Sequence, residues 1–180
     1  MKQIITTSLL CLVCIFLSNC EKSTNPYPDF PEGRWGTSTA KLNGNEWKST
    51  CKSFIDVENP GHWSLSFAVH ENNYYYLEGL DFYNVTAQTD SSNVTKVISF
   101  KEKEGIRGYY SLFDVDIALG DYHILNDAEP NYFTVDSYDS VSREIKGRFE
   151  VTFLVNRAPD ANAPDTVRFT EGKFHARLDE

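Results

Sequence analysis

From Ile145 to Val155 the chain alternates without a break. Ile145, Gly147, Phe149, Val151, Phe153 and Val155 share one parity, and Lys146, Arg148, Glu150, Thr152 and Leu154 share the other. Side chains of an extended strand point to opposite faces in turn, so this spacing gives one face to a core and the other to water. A helix would scatter the same rings around its circumference. At ~3.3 Å per residue the segment reaches about 36 Å. A strand that long is expected to bend or coil, and Gly147 is the natural place for it. The chain must build a sheet large enough to cover such a strand.

The same grammar recurs elsewhere. Trp63, Leu65, Phe67 and Val69 alternate with His62, Ser64, Ser66, Ala68 and His70. Asn43-Gly44 stands between two extended segments, and both residues tolerate the positive φ of a two-residue hairpin turn. Further strands are expected over 74–82, 94–100, 107–117, 121–125, 132–138 and 167–178. The last contains a phase slip: Val167 and Phe169 share one parity, Phe174, Ala176 and Leu178 the other. Keeping all five on one face requires an extra residue, which predicts a bulge near Glu171-Gly172. Residues 156–165, with two prolines and three alanines, read as an exposed hairpin loop. The expected fold is all-β: one antiparallel sandwich or barrel of about ten strands over residues 36–180. Aromatic residues at 14% and a single Met suit pleated sheets better than helices.

The N-terminus has a different character. Lys2 precedes an apolar stretch from Ile4 to Leu17, interrupted by Thr6, Thr7 and Ser8. A membrane-crossing helix needs about 20 apolar residues, so this run is too short to span unaided and reads as a secretory signal. Leu17-Ser18-Asn19-Cys20 resembles the lipobox of bacterial lipoproteins, in the relaxed form familiar in Bacteroidota. That resemblance implies a signal peptide over 1–19, cleavage before Cys20, and acyl chains on Cys20 that anchor the protein to a membrane. An uncleaved anchor or an ordinary signal peptide is the alternative. Glu21 to Gly33, with Pro26, Pro28 and Pro31, reads as a tether, and residues 20–35 form the lipidated cysteine and linker. Semi-extended, the tether would hold the domain ~40 Å from the bilayer at about 3.1 Å per residue.

On this reading Cys11 and Cys14 depart with the signal and Cys20 is consumed by lipid, leaving Cys51 without an intramolecular disulfide partner. Loss of Lys2 leaves 16 basic against 26 acidic residues. So acidic a body repels nucleic acid and anionic headgroups, and neither is expected as a partner.

Three stretches form an ordered set: Ala40-Lys41-Leu42-Asn43-Gly44 with Trp47, Ile145-Lys146-Gly147-Arg148-Phe149, and Phe169-Thr170-Glu171-Gly172-Lys173-Phe174. Together they resemble a family of uncharacterised Bacteroidota envelope lipoproteins carrying a domain of unknown function. The resemblance runs from about Gly36 to the C-terminus. It implies an all-β, lipocalin-like domain outside the inner membrane, in the periplasm or at the outer membrane surface. It brings no catalytic residues.

Candidate chemistry is sparse. His62 and His70, read on one strand face, stand ~26 Å apart at 3.3 Å per residue and cannot share an ion. His175, between inward Phe174 and Ala176, should face solvent, and His123 stands alone in the sequence. Asp114 to Asp121 carries oxygen ligands but lacks the spacing of a calcium loop, with Leu125 where a bidentate glutamate belongs; Phe113, Val115 and Ile117 explain the aspartates as the wet face of a strand. Cys51 shares parity with Trp47, Ser49 and Ser53 and reads as a small buried residue. No nucleophile elbow, zinc-protease helix or phosphate-cradling loop occurs, so neither a catalytic residue, a metal site, a cofactor nor an enzyme is expected. Tyrosines are the remaining lead. Tyr74-Tyr75-Tyr76 sends rings to both sheet faces, and Tyr109-Tyr110 divides in the same way. Exposed rings stack on sugars or apolar ligands, although tyrosines also border β cores for packing alone. Asp139-Ser140-Val141 and Asp165-Thr166-Val167 resemble the O-glycosylation acceptor pattern of Bacteroidota envelope proteins, which makes Ser140 and Thr166 candidate acceptors. The expected function is a membrane-anchored, non-enzymatic β domain that binds a small molecule, glycan or envelope protein. The alternative is an accessory subunit of an envelope complex without a ligand pocket.

Overall fold

A computed structural model of the chain describes residues 35–56, 59–71, 75–86, 95–98, 105–115, 117–125 and 130–178. The described residues form ten strands: β1 Trp35–Leu42, β2 Asn45–Ile55, β3 Trp63–Glu71, β4 Tyr75–Val85, β5 Thr95–Ile98, β6 Ile106–Asp114, β7 Ile117–Ile124, β8 Tyr132–Asp139, β9 Glu144–Arg157 and β10 Thr166–Arg177. The all-β fold expected from alternation is the fold observed, and it is a near-barrel. Eight strands pair antiparallel in a ring, running β1, β2, β3, β4, β6, β7, β9, β10 and back to β1.

Between β6 and β9 the wall forks. Toward one end β7 fills the gap, pairing with β6 and with the last part of β9. Toward the other end β8 pairs with the first part of β9, and β5 joins β8 to β6, to which it runs parallel. Asn131 stitches the fork. Its Nδ2 donates to the Leu125 carbonyl at 2.7 Å, and its Oδ1 accepts the Thr152 N–H at 2.7 Å. The Leu125 N–H in turn donates to the Thr152 carbonyl at 2.9 Å. Each backbone group would otherwise be left unpaired where one strand hands its partner to another.

The long strand behaves as its alternation requires: Ile145, Gly147, Phe149, Val151 and Phe153 are all buried. Inward rings touch across the interior. Phe67, Phe82 and Phe149 meet at 5.3–5.7 Å between centroids, Phe133 lies 4.8 Å from Phe82 and 4.9 Å from Phe174. Such spacings lie in the attractive range for aromatic pairs. Rings stand where a lipocalin-type barrel holds a ligand.

Turn chemistry explains the joints. Asn43 at φ 50° and Gly44 at φ 85° make the expected two-residue hairpin between β1 and β2. The bulge expected at Glu171-Gly172 is present, with Glu171 at φ 54° and the register shifting between Phe169 and Gly172. Gly147 is required by close packing. A Cβ there would lie 2.0 Å from the Thr134 carbonyl and 2.6 Å from the Phe174 ring, so glycine permits close approach of β8 and β10.

Two expectations need correction. The stretch 107–117 is not one strand: Asp114 pairs with Ile117, and Val115 turns the chain at φ 58°. A β-branched residue rarely takes positive φ, which is why alternation of Phe113, Val115 and Ile117 read as continuous strand. Accordingly β7 begins at Ile117 instead of near Asp121, and Val115, Ile117 and Leu119 are exposed. Likewise His62 does not lie on the strand face that carries His70, because β3 begins at Trp63 and His62 belongs to the loop before it.

Candidate functional site

Strands β3, β4 and β6 lie side by side, and register fixes what meets on each face. Ser66 pairs with Asp81 and Asp81 with Tyr109, while Ala68 pairs with Gly79 and Gly79 with Ser111. These residues alternate with inward Phe67, Leu80 and Tyr110, so they form rows on the outside of the barrel. Gly79 leaves room above itself for a ring. A Cβ there would stand 1.8 Å from the Tyr76 hydroxyl and 3.2 Å from Ser111 Oγ, so Tyr76 lies across it. Tyr76 also packs on Phe113 at 4.5 Å and on His70 at 5.6 Å between centroids.

Asp81 sits at the centre of this outer-wall cluster. Burial pushes its carboxyl up to about 6, against the opposing pull of a hydrogen bond from Ser66. Burial and then the Asp81 charge raise Tyr83 to about 12, and the same two causes push the Tyr76 phenol up. Tyr109 is raised by burial first, then by Asp121, which its hydroxyl also bonds. Asp121 is compensated where Asp81, among the described residues, is not: it accepts from Asn156 Nδ2 at 2.5 Å and pairs with Arg157 Nε at 3.2 Å. The outer wall thus gathers three phenols around one half-buried carboxylate. Phenols and carboxylate together offer flat apolar faces with hydrogen-bonding edges, which is the chemistry of sugar recognition.

The inside of the same wall carries a second polar cluster. Trp47 Nε1 and the Tyr110 hydroxyl both donate to Glu78 Oε2, at 2.8 and 2.9 Å. Burial, followed by the Glu78 charge, drives the Tyr110 phenol far upward. Phe169 lies 5.1 Å from each of Trp47 and Tyr110, and Tyr122 stands 5.6 Å from Tyr110 with its hydroxyl buried and unpartnered. Glu78 and Asp81 project to opposite faces of β4, so the pair cannot flank a scissile bond.

Of the five tyrosines singled out by sequence, the structure brings Tyr76 and Tyr109 to the outer wall and buries Tyr110 in the core. Tyr74 lies outside the described residues, as does the side chain of Tyr75. Cys20 also lies outside them. Ser140 and Thr166 are exposed, the first in the β8–β9 turn and the second at the start of β10. Cys51 is fully buried, and burial raises its thiol well above the ordinary range. His175 faces solvent and meets Glu144 at 2.9 Å. Among the described residues no group of three His, Cys, Asp or Glu side chains converges as a metal site would need. Sequence reasoning missed Asp81, Tyr83 and Ser66. The parity of Leu80 and Phe82 points Asp81 and Tyr83 outward, but only register reveals that they meet Tyr109.

No protein-family model matches this chain. Neither a curated protein nor a solved structure matches it. No lipoprotein family is identified by these comparisons, and what stands is an all-β antiparallel domain. The motifs that suggested an envelope family have structural duties here: the Asn43-Gly44 turn, the Gly147 contact with Thr134 and Phe174, and the Glu171-Gly172 bulge.

Proposed function

We propose that this chain is a membrane-anchored envelope lipoprotein whose barrel binds a glycan or small molecule, without catalysis, on its outer wall. The observation that carries the reading is the gathering of Tyr76, Tyr83 and Tyr109 around Asp81. A carboxylate held half-buried with no cation paired to it among the described residues costs stability, and such costs concentrate where a protein binds or reacts. The lipobox-like Leu17-Ser18-Asn19-Cys20 supports the anchor, with Cys20 carrying the lipid and the outer membrane as its address.

Titration of the full-length chain against glycan panels, followed by tyrosine and tryptophan fluorescence, tests the binding. Tyr83→Ala or Tyr109→Ala should weaken it about fivefold, the loss of roughly 1 kcal/mol of ring contact. Chelator should change nothing; metal-dependent binding would refute the aromatic mechanism. Cys20→Ala should leave a precursor that no longer partitions into detergent, and unchanged partitioning would remove the lipid anchor from the proposal. A second reading, an accessory subunit of an envelope complex, is favoured by one feature: the β6–β7 hairpin tip exposes Val115, Ile117 and Leu119. Absence of glycan or small-molecule binding would move the proposal to that reading.

A further inference from the structure

The end of the barrel at which β1 begins carries a pocket of about 220 Å³, lined by Ile55, Gly61, His62, Trp63, Tyr138, Arg143 and Leu178. Its walls come from unlike parts of the chain: the end of β2, the loop before β3, β8, the β8–β9 turn and the residue after β10. They are fixed by backbone hydrogen bonds. Asp56 N–H donates to the His62 carbonyl at 2.9 Å, and His62 N–H donates to the Asn59 carbonyl at 3.1 Å. Leu178 N–H donates to the carbonyl of Arg143, which adopts φ 60°. The site is therefore shaped before any ligand arrives.

Its chemistry has two halves. Trp63, Tyr138, Ile55 and Leu178 present apolar surface. Arg143 brings donors, and His62 brings an imidazole whose buried Nδ1 has no hydrogen-bond partner among the described residues and donates in its Nδ1–H tautomer. A buried polar atom left unpaired costs ~1–3 kcal/mol, which a ligand atom would recover. Arg143 has five N–H donors in a planar fork, so one engagement elsewhere leaves others for a carboxylate. The pocket's volume of about 220 Å³ exceeds the ~150 Å³ of an apolar cavity that takes up benzene, so it has room for a small organic body.

We infer that this pocket binds a small carboxylic acid with an aromatic or branched apolar body. The body packs on Trp63, Tyr138, Ile55 and Leu178, and the carboxylate meets Arg143 and His62. This site is separate from the outer-wall tyrosines and does not depend on them.

The test titrates full-length chain with phenylacetate and isovalerate, and with phenylacetamide as the uncharged match, by calorimetry and tryptophan fluorescence. The acids should bind saturably and the amide at least tenfold more weakly, about 1.4 kcal/mol. Arg143→Asn keeps a residue type suited to positive φ, so the turn should survive. It should weaken the acids about tenfold and leave the amide unchanged, with thermal unfolding confirming the fold. Trp63→Phe should abolish the fluorescence response while calorimetric binding persists. Equal affinity for acid and amide, or acid binding indifferent to Arg143→Asn, would overturn the assignment. So would failure of both acids to saturate at about 10 mM.

Discussion

Asp81 bears a measurable consequence at the scale of one residue. Its folded carboxyl is raised from 3.8 to about 6, so the native state holds the proton more tightly than the unfolded chain does. Stability therefore falls as pH rises from ~4 to ~6, and the full penalty of roughly 2–3 kcal/mol is present above that window. Asp81→Asn should remove the penalty. Urea unfolding should find the variant more stable than wild type at pH 7 by up to about 2–3 kcal/mol, with the gain vanishing below about pH 4. A gain independent of pH would mean that packing, not ionisation, governs the site. The same substitution should harm glycan binding if the carboxylate contacts the ligand, so stability and binding would move in opposite directions. Parity in the sequence separates Tyr109 from Tyr110 correctly. The Asp81 cluster escaped it because cross-strand neighbours depend on register, and register depends on bulges such as the one between Val69 and His70.

Among elements, β9 is the spine. It pairs with β10 along one edge and with β8 and then β7 along the other. Phe149→Ala and Phe153→Ala, both fully buried, should each cost ~3–5 kcal/mol, and Thr152→Ala on the opposite face far less. Equal losses by chemical denaturation would mean that both faces of the strand are packed alike. Asn131 was invisible in the sequence because a polar residue before a strand has no period to betray it. It is 4% exposed, and its Oδ1 accepts the Thr152 N–H at the fork. Asn131→Ala should destabilise by roughly 2–4 kcal/mol, as two buried backbone groups lose a partner at about 1–3 kcal/mol each. Asn131→Ser should recover little, since its shorter side chain cannot bridge both strands. The β6–β7 turn shows the converse failure. Alternation through Phe113, Val115 and Ile117 is real, yet Val115 occupies a backbone region that its side chain disfavours. Pattern alone does not register that strain.

For the whole molecule, alternation made the fold class legible, because each long strand declares its buried face. Closure into a ring was not legible, since no local pattern says that the first strand lies beside the last. Nor was the filling of the interior, which needs the rings of β3, β4, β8, β9 and β10 to meet. Closure has a consequence in time. Ser38 reaches the Lys173 carbonyl across 135 positions of sequence, and β10 is the strand that β1 and β9 both require. A chain ending at residue 165 would present two open strand edges and should aggregate where the full chain stays dispersed, as light scattering would reveal. A nascent chain stands in that state until β10 has been made. No folding completed from the N-terminus onward can seal the wall, and contacts this distant form slowly. The twelve residues of β10 are therefore the ones that decide whether everything before them becomes a barrel.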